Sequence, residues 1–206
     1  TVKNMGIYYS ATTTSAPYKG LFGYVNGTSS SYATIQNLKV TGKMYLTSTG
    51  SVANAYSGGV VAYANYTNIS GVVSDVDITV TRVNGNWSSV GGVAGRLVNS
   101  NATNCGNEGT IHAYQYVGGI TGYATGTITG CYNGGAITGN GYVAGIVGQT
   151  TKGVTACYNT GSITGAGNYV AGALALGSSD MNTAGFAMFR IKPKRDGVRM
   201  YWAQQA

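Results

Sequence analysis

Five carboxylates, one imidazole, three thiols and seventeen phenols are the groups through which this 206-residue chain could do chemistry. Asp75 and Asp77 stand two apart in an extended segment and so share one face. Such a pair, beside a cation such as Arg82 or Arg96, is what an enzyme that cuts acidic polysaccharide would use. Glu108, Asp180 and Asp196 are not placed to join them as a third carboxylate, so a solvated surface pair is expected. His112 has no Ser or Cys partner in a recognisable motif. The glycines lack the Lys-Ser/Thr of a phosphate loop, and no Asp recurs in the way of calcium-binding nonapeptides. The expectation is a non-enzymatic chain with no catalytic residue, no metal site and no cofactor.

Tyrosine is the richest lead for binding. Tyr116, Tyr142 and Tyr169 occupy equivalent places in successive stretches of sequence, as do Tyr132 and Tyr158. Rings repeated in this way can stack on sugars, meet a protein, or shield the backbone by stacking on one another. These five are the candidate binding residues.

The elements that position them follow from self-similarity. Six copies of a Gly-hydrophobic-x-small signature occur at 20–23, 59–62, 92–95, 119–122, 145–148 and 172–175. Their spacing is 39, 33, 27, 26 and 27 residues. A second block follows, clearest as GTITGCYNGGAITG at 126–139 and KGVTACYNTGSITG at 152–165. The opening TVKNMGI matches TIQNLKV at 34–40, so the chain reads as a fragment that begins partway through a repeat.

Aligned in this way, four columns stay apolar. They are Val2, Ile35, Ile69, Ala102, Ile128, Val154; Met5, Leu38, Val72, Cys105, Cys131, Cys157; Ile7, Val40, Ile78, Ile111, Ile137, Ile163; and Leu21, Val60, Val93, Ile120, Ile146, Ala173. A thiol that alternates with Met, Leu and Val acts as a small hydrophobe, so the cysteines are expected to be buried and free.

Alternation breaks at Gly118-Gly119, at Thr129-Gly130 and across Tyr132-Asn133-Gly134-Gly135, where Gly and Asn suit corners. No window has helical periodicity. The fold class expected is all-β: a parallel β-helix, or solenoid, of about six to seven coils. Each coil would have about 26 residues and three strands. Its strands hydrogen-bond to those about 4.8 Å above and below, because no single coil can bury its own apolar residues. The solenoid is expected over 1–185. GFAMFRIKPKRDGVRMYWAQQA ends the repeat and predicts a basic β-hairpin over 186–206, either a cap or the start of a following module.

Composition agrees. Only 8% of residues are charged, against roughly 25% in ordinary soluble domains, and 34 glycines without a three-residue period exclude both helical and collagen-like chains. The net charge of +7 divides into +3 over 1–189 and +4 over 190–206. The basic end is read as a solvated turn or linker, and no nucleic acid partner is expected. No run of about 20 mainly apolar residues is present, so no transmembrane segment is expected.

The repeated signature, the CYNxGxIxG block at 131–139 and 157–165, and the openings IQNLKVTG and GLFGYV resemble the GLUG-motif repeat family over about residues 1–176. The resemblance implies right-handed parallel β-helices in large bacterial adhesin-like proteins, secreted or at the cell surface. It brings no catalytic residues. The function expected is that of a structural or adhesive rod segment, meeting a glycan or a host or matrix protein through surface tyrosines. A polysaccharide-processing enzyme and a fibre subunit that self-associates end to end are the alternatives.

Overall fold

The computed structural model describes residues 1–11, 18–48, 55–82, 88–177, 187–191 and 199–203. Among these residues every regular element is a β-strand, and nearly all pair in parallel with the equivalent strand of the next coil. The strands build four sheets of 11, 6, 6 and 5 strands, each running along the rod axis. The chain is a parallel β-solenoid, and its later coils repeat every 26 residues, the separation at which the Cys105 N–H meets Cys131 Sγ.

One later coil shows the plan. Gly106–Asn107 and Ile111–His112 belong to the 11-stranded sheet, Tyr116–Gly118 and Thr121–Ala124 to the two 6-stranded sheets, and Ile128–Thr129 to the 5-stranded sheet. The breaks at Gly118-Gly119 and Thr129-Gly130 do separate sheets. The break expected across 132–135 does not: Tyr132–Asn133 and Ile137–Gly139 lie in the same sheet, both stacked under one continuous strand, Val73–Arg82. Cys131, Asn133, Gly135 and Ile137 are all buried, so the period of two never lapses there. A polar residue occupies an inward position.

The early coils differ from the later ones on the side of the 11-stranded sheet. In the first three coils this side is a ten-residue strand, Val2–Ala11, Lys39–Ser48 or Val73–Arg82, where later coils use shorter pieces. The 39-residue interval also holds a short excursion between Asn26 and Ala33, closed by a Thr28–Ser31 bridge.

Three of the four columns stack through the later coils as expected. The column through Ile78, Ile111, Ile137 and Ile163 also stands, but Met44 fills its place in the second coil, and Val40 instead pairs with Ser74. The opening segment departs further. Val2 pairs with Val40, Met5 with Gly42 and Ile7 with Met44, rather than with Ile35, Leu38 and Val40. The partner is already five residues beyond the expected one at Val2, and a bulge between Val2 and Met5, with Asn4 at φ 58°, then takes back one residue. The likeness of TVKNMGI to TIQNLKV is therefore not an equivalence of position.

The corner that precedes the cysteine column is left-handed in five stacked coils: Asn37 (φ 53°), Gly71 (60°), Asn104 (52°), Gly130 (64°) and Ala156 (51°). Asn and Gly tolerate this region, whereas an alanine Cβ crowds its own carbonyl. Ala156→Gly is therefore expected to raise stability by about 1 kcal/mol. Denaturant melts check it, and a loss of stability would show that Ala156 is held there by packing instead.

The cysteines are buried and free. The Cys131 thiol donates to the carbonyls of Ala102 and Thr129 at 3.6 and 3.4 Å, and Cys105 and Cys157 make equivalent bonds. Lying between two other thiols and away from water, Cys131 is held strongly protonated.

At the far end, Ala187–Ile191 and Arg199–Ala203 pair antiparallel, and Phe189 pairs in parallel with Asn159. The hairpin so adds two strands to the edge of the 11-stranded sheet. The basic turn expected between them, including Lys192, Lys194 and Arg195, lies outside the described residues.

Candidate functional site

The signature sequence makes a wedge. Tyr116–Gly118 and Thr121–Ala124 are two arms joined at Gly119-Ile120, and Ile120 is fully buried in the core. The arms fold back so closely that a Cβ on Gly122 would meet the Tyr116 carbonyl oxygen. Both faces of each arm are consequently covered, which is why every residue from 116 to 122 is buried, whatever its parity.

The first glycine of the signature has another neighbour. A Cβ on Gly92, Gly119 or Gly145 would overlap the side chain of Asn107, Asn133 or Asn159. These three asparagines form a buried amide ladder. Asn107 Nδ2 donates to Asn133 Oδ1 at 2.7 Å, and Asn133 Nδ2 to Asn159 Oδ1 at 2.6 Å. Each Nδ2 also donates to the carbonyl two residues on, at 2.8, 2.8 and 2.9 Å. The signature and the CYN block, distant in sequence, thus meet in the interior. The ladder is structural, and the sequence hides it because Asn133 before two glycines looks like a turn.

The five candidate tyrosines fall into two groups on different sheets. Tyr116, Tyr142 and Tyr169 pair in register on one arm of the wedge, with ring centroids 4.8 and 4.7 Å apart and planes within 14°. Both faces of the Tyr142 ring are taken by its neighbours, so what this ladder offers outward is ring edges and hydroxyls. Tyr116 is buried and Tyr169 is 44% exposed. Burial pushes the Tyr116 phenol upward.

Tyr132 and Tyr158 stand on the 11-stranded sheet, facing away from the cysteine column, stacked at 5.6 Å. Tyr132 lies over Gly106, where a Cβ would strike its ring. Its hydroxyl donates to Glu108 Oε1 at 3.1 Å, and Lys39 donates to Glu108 Oε2 at 2.8 Å. Lys39 holds the Glu108 carboxyl below its ordinary range. Burial, and then the hydrogen bond to Glu108, push Tyr132 up to about 12.

A phenol whose folded pKa is raised contributes stability that is fully present below its unfolded value near 10, and lost as pH rises through about 12. Tyr132 is accordingly expected to ionise near 12, and Glu108→Gln to lower that value part of the way. Spectrophotometric titration of tyrosinate against a Tyr132→Phe reference reads both. Ionisation of Tyr132 together with the free phenols would count against the bond.

The acidic pair is dispersed in use. Asp75 and Asp77 share the outer face of the strand Val73–Arg82, as expected. Asp77 Oδ1 accepts from the Thr110 N–H and hydroxyl at 3.0 and 2.8 Å, tying one coil to the next. Arg96 lies on another sheet. The Arg82 side chain lies outside the described residues. His112 is exposed, in register with Thr79 and Thr138. Among the described residues no group of three or more His, Cys, Asp or Glu could hold a metal ion, and no helix is long and apolar enough to cross a membrane.

A cluster that the sequence did not announce fills the mouth of the wedge in the early coils. Tyr18 and Tyr56 stack on one arm at 5.7 Å, Tyr24 and Tyr63 on the other at 5.1 Å, and Tyr56 touches Tyr63 across the gap at 5.3 Å. The next coil replaces this pair with Ser89 and Arg96, in register with Tyr56 and Tyr63. The small Ser89 leaves room for the guanidinium. Its carbon lies 4.4 Å from the Tyr123 ring centre and 5.3 Å from that of Tyr56, within cation–π range. Compared with known proteins, the chain matches no family model, no curated protein and no solved structure.

Proposed function

We propose that the chain is a non-enzymatic rod segment of a larger secreted or cell-surface protein, of the GLUG-repeat adhesin kind that its motifs resemble. In this reading it displays tyrosine ladders to a glycan or a host or matrix protein. The observation that carries the reading is the match between ladder and coil. Tyrosine rings recur at the coil spacing on two sheets, with Tyr158 and Tyr169 exposed at 42% and 44%. A solenoid turns a one-residue feature into an extended linear array, and such an array suits a polymeric or repetitive partner. The engagement of Glu108 with Lys39 and of Asp77 with Thr110 accords with carboxylates used to bind coils together.

The test is binding of the purified chain to a panel of glycans and matrix proteins, repeated with Tyr158→Ala and Tyr169→Ala. Retention of at least one partner, weakened by either change at unaltered melting temperature, is expected. Catalytic turnover of an acidic glycan that disappears in Asp75→Asn or Asp77→Asn would replace this reading with the enzymatic one.

A further inference from the structure

The geometry points to a specific anion anchor on the wedge: we propose that Arg96, framed by Tyr56, Tyr63 and Tyr123, binds the carboxylate of an acidic sugar in a glycan lying along the tyrosine-lined surface at the mouth of the wedge. The inference rests on the reading of the rod as a glycan-binding surface and adds a residue and a ligand class to it.

Arg96 is half-buried on the outer side of the strand Ala94–Val98. A charge withdrawn from water needs a counter-charge or a full set of acceptors. Among the described residues Arg96 has neither. The one ion pair there joins Lys39 to Glu108. Arg96 Nη1 donates to the Tyr56 hydroxyl at 3.1 Å, while its buried Nε makes no hydrogen bond. The guanidinium carbon lies within cation–π range of both the Tyr56 and Tyr123 rings, and only one of the five donors in the guanidinium plane is given to Tyr56. A planar fork of donors in that plane is what a carboxylate accepts from.

The surroundings decide between a sugar and a peptide. Each arm of the wedge is an interior strand of a six-stranded sheet, so its backbone N–H and C=O groups are already paired along the axis. A peptide could not add itself as a strand there. What this surface does present is phenol hydroxyls, ring edges and a guanidinium, side-chain groups suited to sugar hydroxyls and a uronate carboxylate. Burial raises the Tyr63 phenol, so this ring remains a neutral donor beside the anion.

The probes are hexagalacturonate, its methyl ester, the neutral cellohexaose and sialyllactose, titrated into the isotopically labelled wild-type chain. Hexagalacturonate is expected to bind and to shift the Arg96 Nε–H resonance, while the ester and cellohexaose leave it in place. Sialyllactose distinguishes a terminal acidic sugar from an internal uronate. Arg96→Gln is expected to weaken acid binding by about tenfold or more, and Arg96→Lys is expected not to restore it. The wild-type resonance keeps the test intact should either variant fold poorly. Equal binding of acid and ester, an unmoved Nε–H at saturation, or no acidic glycan bound would each overturn the anchor. Glycan or protein binding that is lost in Tyr158→Ala yet indifferent to Arg96→Gln would overturn the anchor alone and leave the rod reading standing.

Discussion

Asn133→Ala is expected to lower the unfolding free energy by about 3–5 kcal/mol, although the residue removed is polar and small. Asn133 is the middle member of the amide ladder, fully buried, and it accepts from Asn107 while donating to Asn159 and to the Gly135 carbonyl. Its loss leaves the Asn159 and Gly135 oxygens without their donor, in a place where each unmade bond costs about 1–3 kcal/mol. It also opens a void against Gly119, and cavities in packed interiors carry their own cost. Asn159→Ala, at the end of the ladder, leaves fewer partners stranded and should cost less. Equilibrium urea melts of the two variants read the difference. A loss under about 1 kcal/mol for Asn133→Ala would mean that water reaches the ladder and replaces the amide.

Ile137→Ala should cost about 2–5 kcal/mol, whereas Thr138→Ala next to it should cost under about 0.5. Ile137 is fully buried, with Ile111 on one side and Ile163 on the other in register. Coils above and below are held by their own ladders, so the gap cannot close readily, which places the expected value in the upper part of the range. Thr138 alternates to the outside, where its neighbours are His112 and Thr164. The same melts settle this pair, and similar values for the two substitutions would contradict an inward Ile137.

Much of this arrangement was legible from residue spacing, because a stacked ladder repeats its chemistry once per coil. The cysteine column could be placed inside since Leu38 and Val72 precede it in equivalent positions. The corner at Gly130 could be placed since Ile128 and Cys131 break the alternation. Two kinds of feature were not legible. An inward residue that is polar defeats a hydrophobic period, and so the spacing places Asn133 at a corner, although it keeps the alternation intact. A pattern of residue types does not state which neighbour a strand pairs with, and so the opening segment resembles TIQNLKV while pairing four to five residues further on. Of the candidate site, the two tyrosine groups were visible because they recur. In the sequence Arg96 stands out only as a cation that could serve Asp75 and Asp77. Its true neighbours come from three coils and both arms of a wedge, and nothing in the local sequence states that the arms fold together.

Because every sheet hydrogen-bonds along the rod axis, the molecule has a distinctive response to mechanical load. A pull on the two chain ends bears on the outermost coil first, and it opens that coil's bonds in succession rather than shearing a whole sheet at once. Each detached coil pays out about one repeat of slack and leaves a fresh, still intact coil to take up the tension. Such a segment would yield in small increments and recoil from its surviving turns, behaving as a shock absorber rather than a brittle tether.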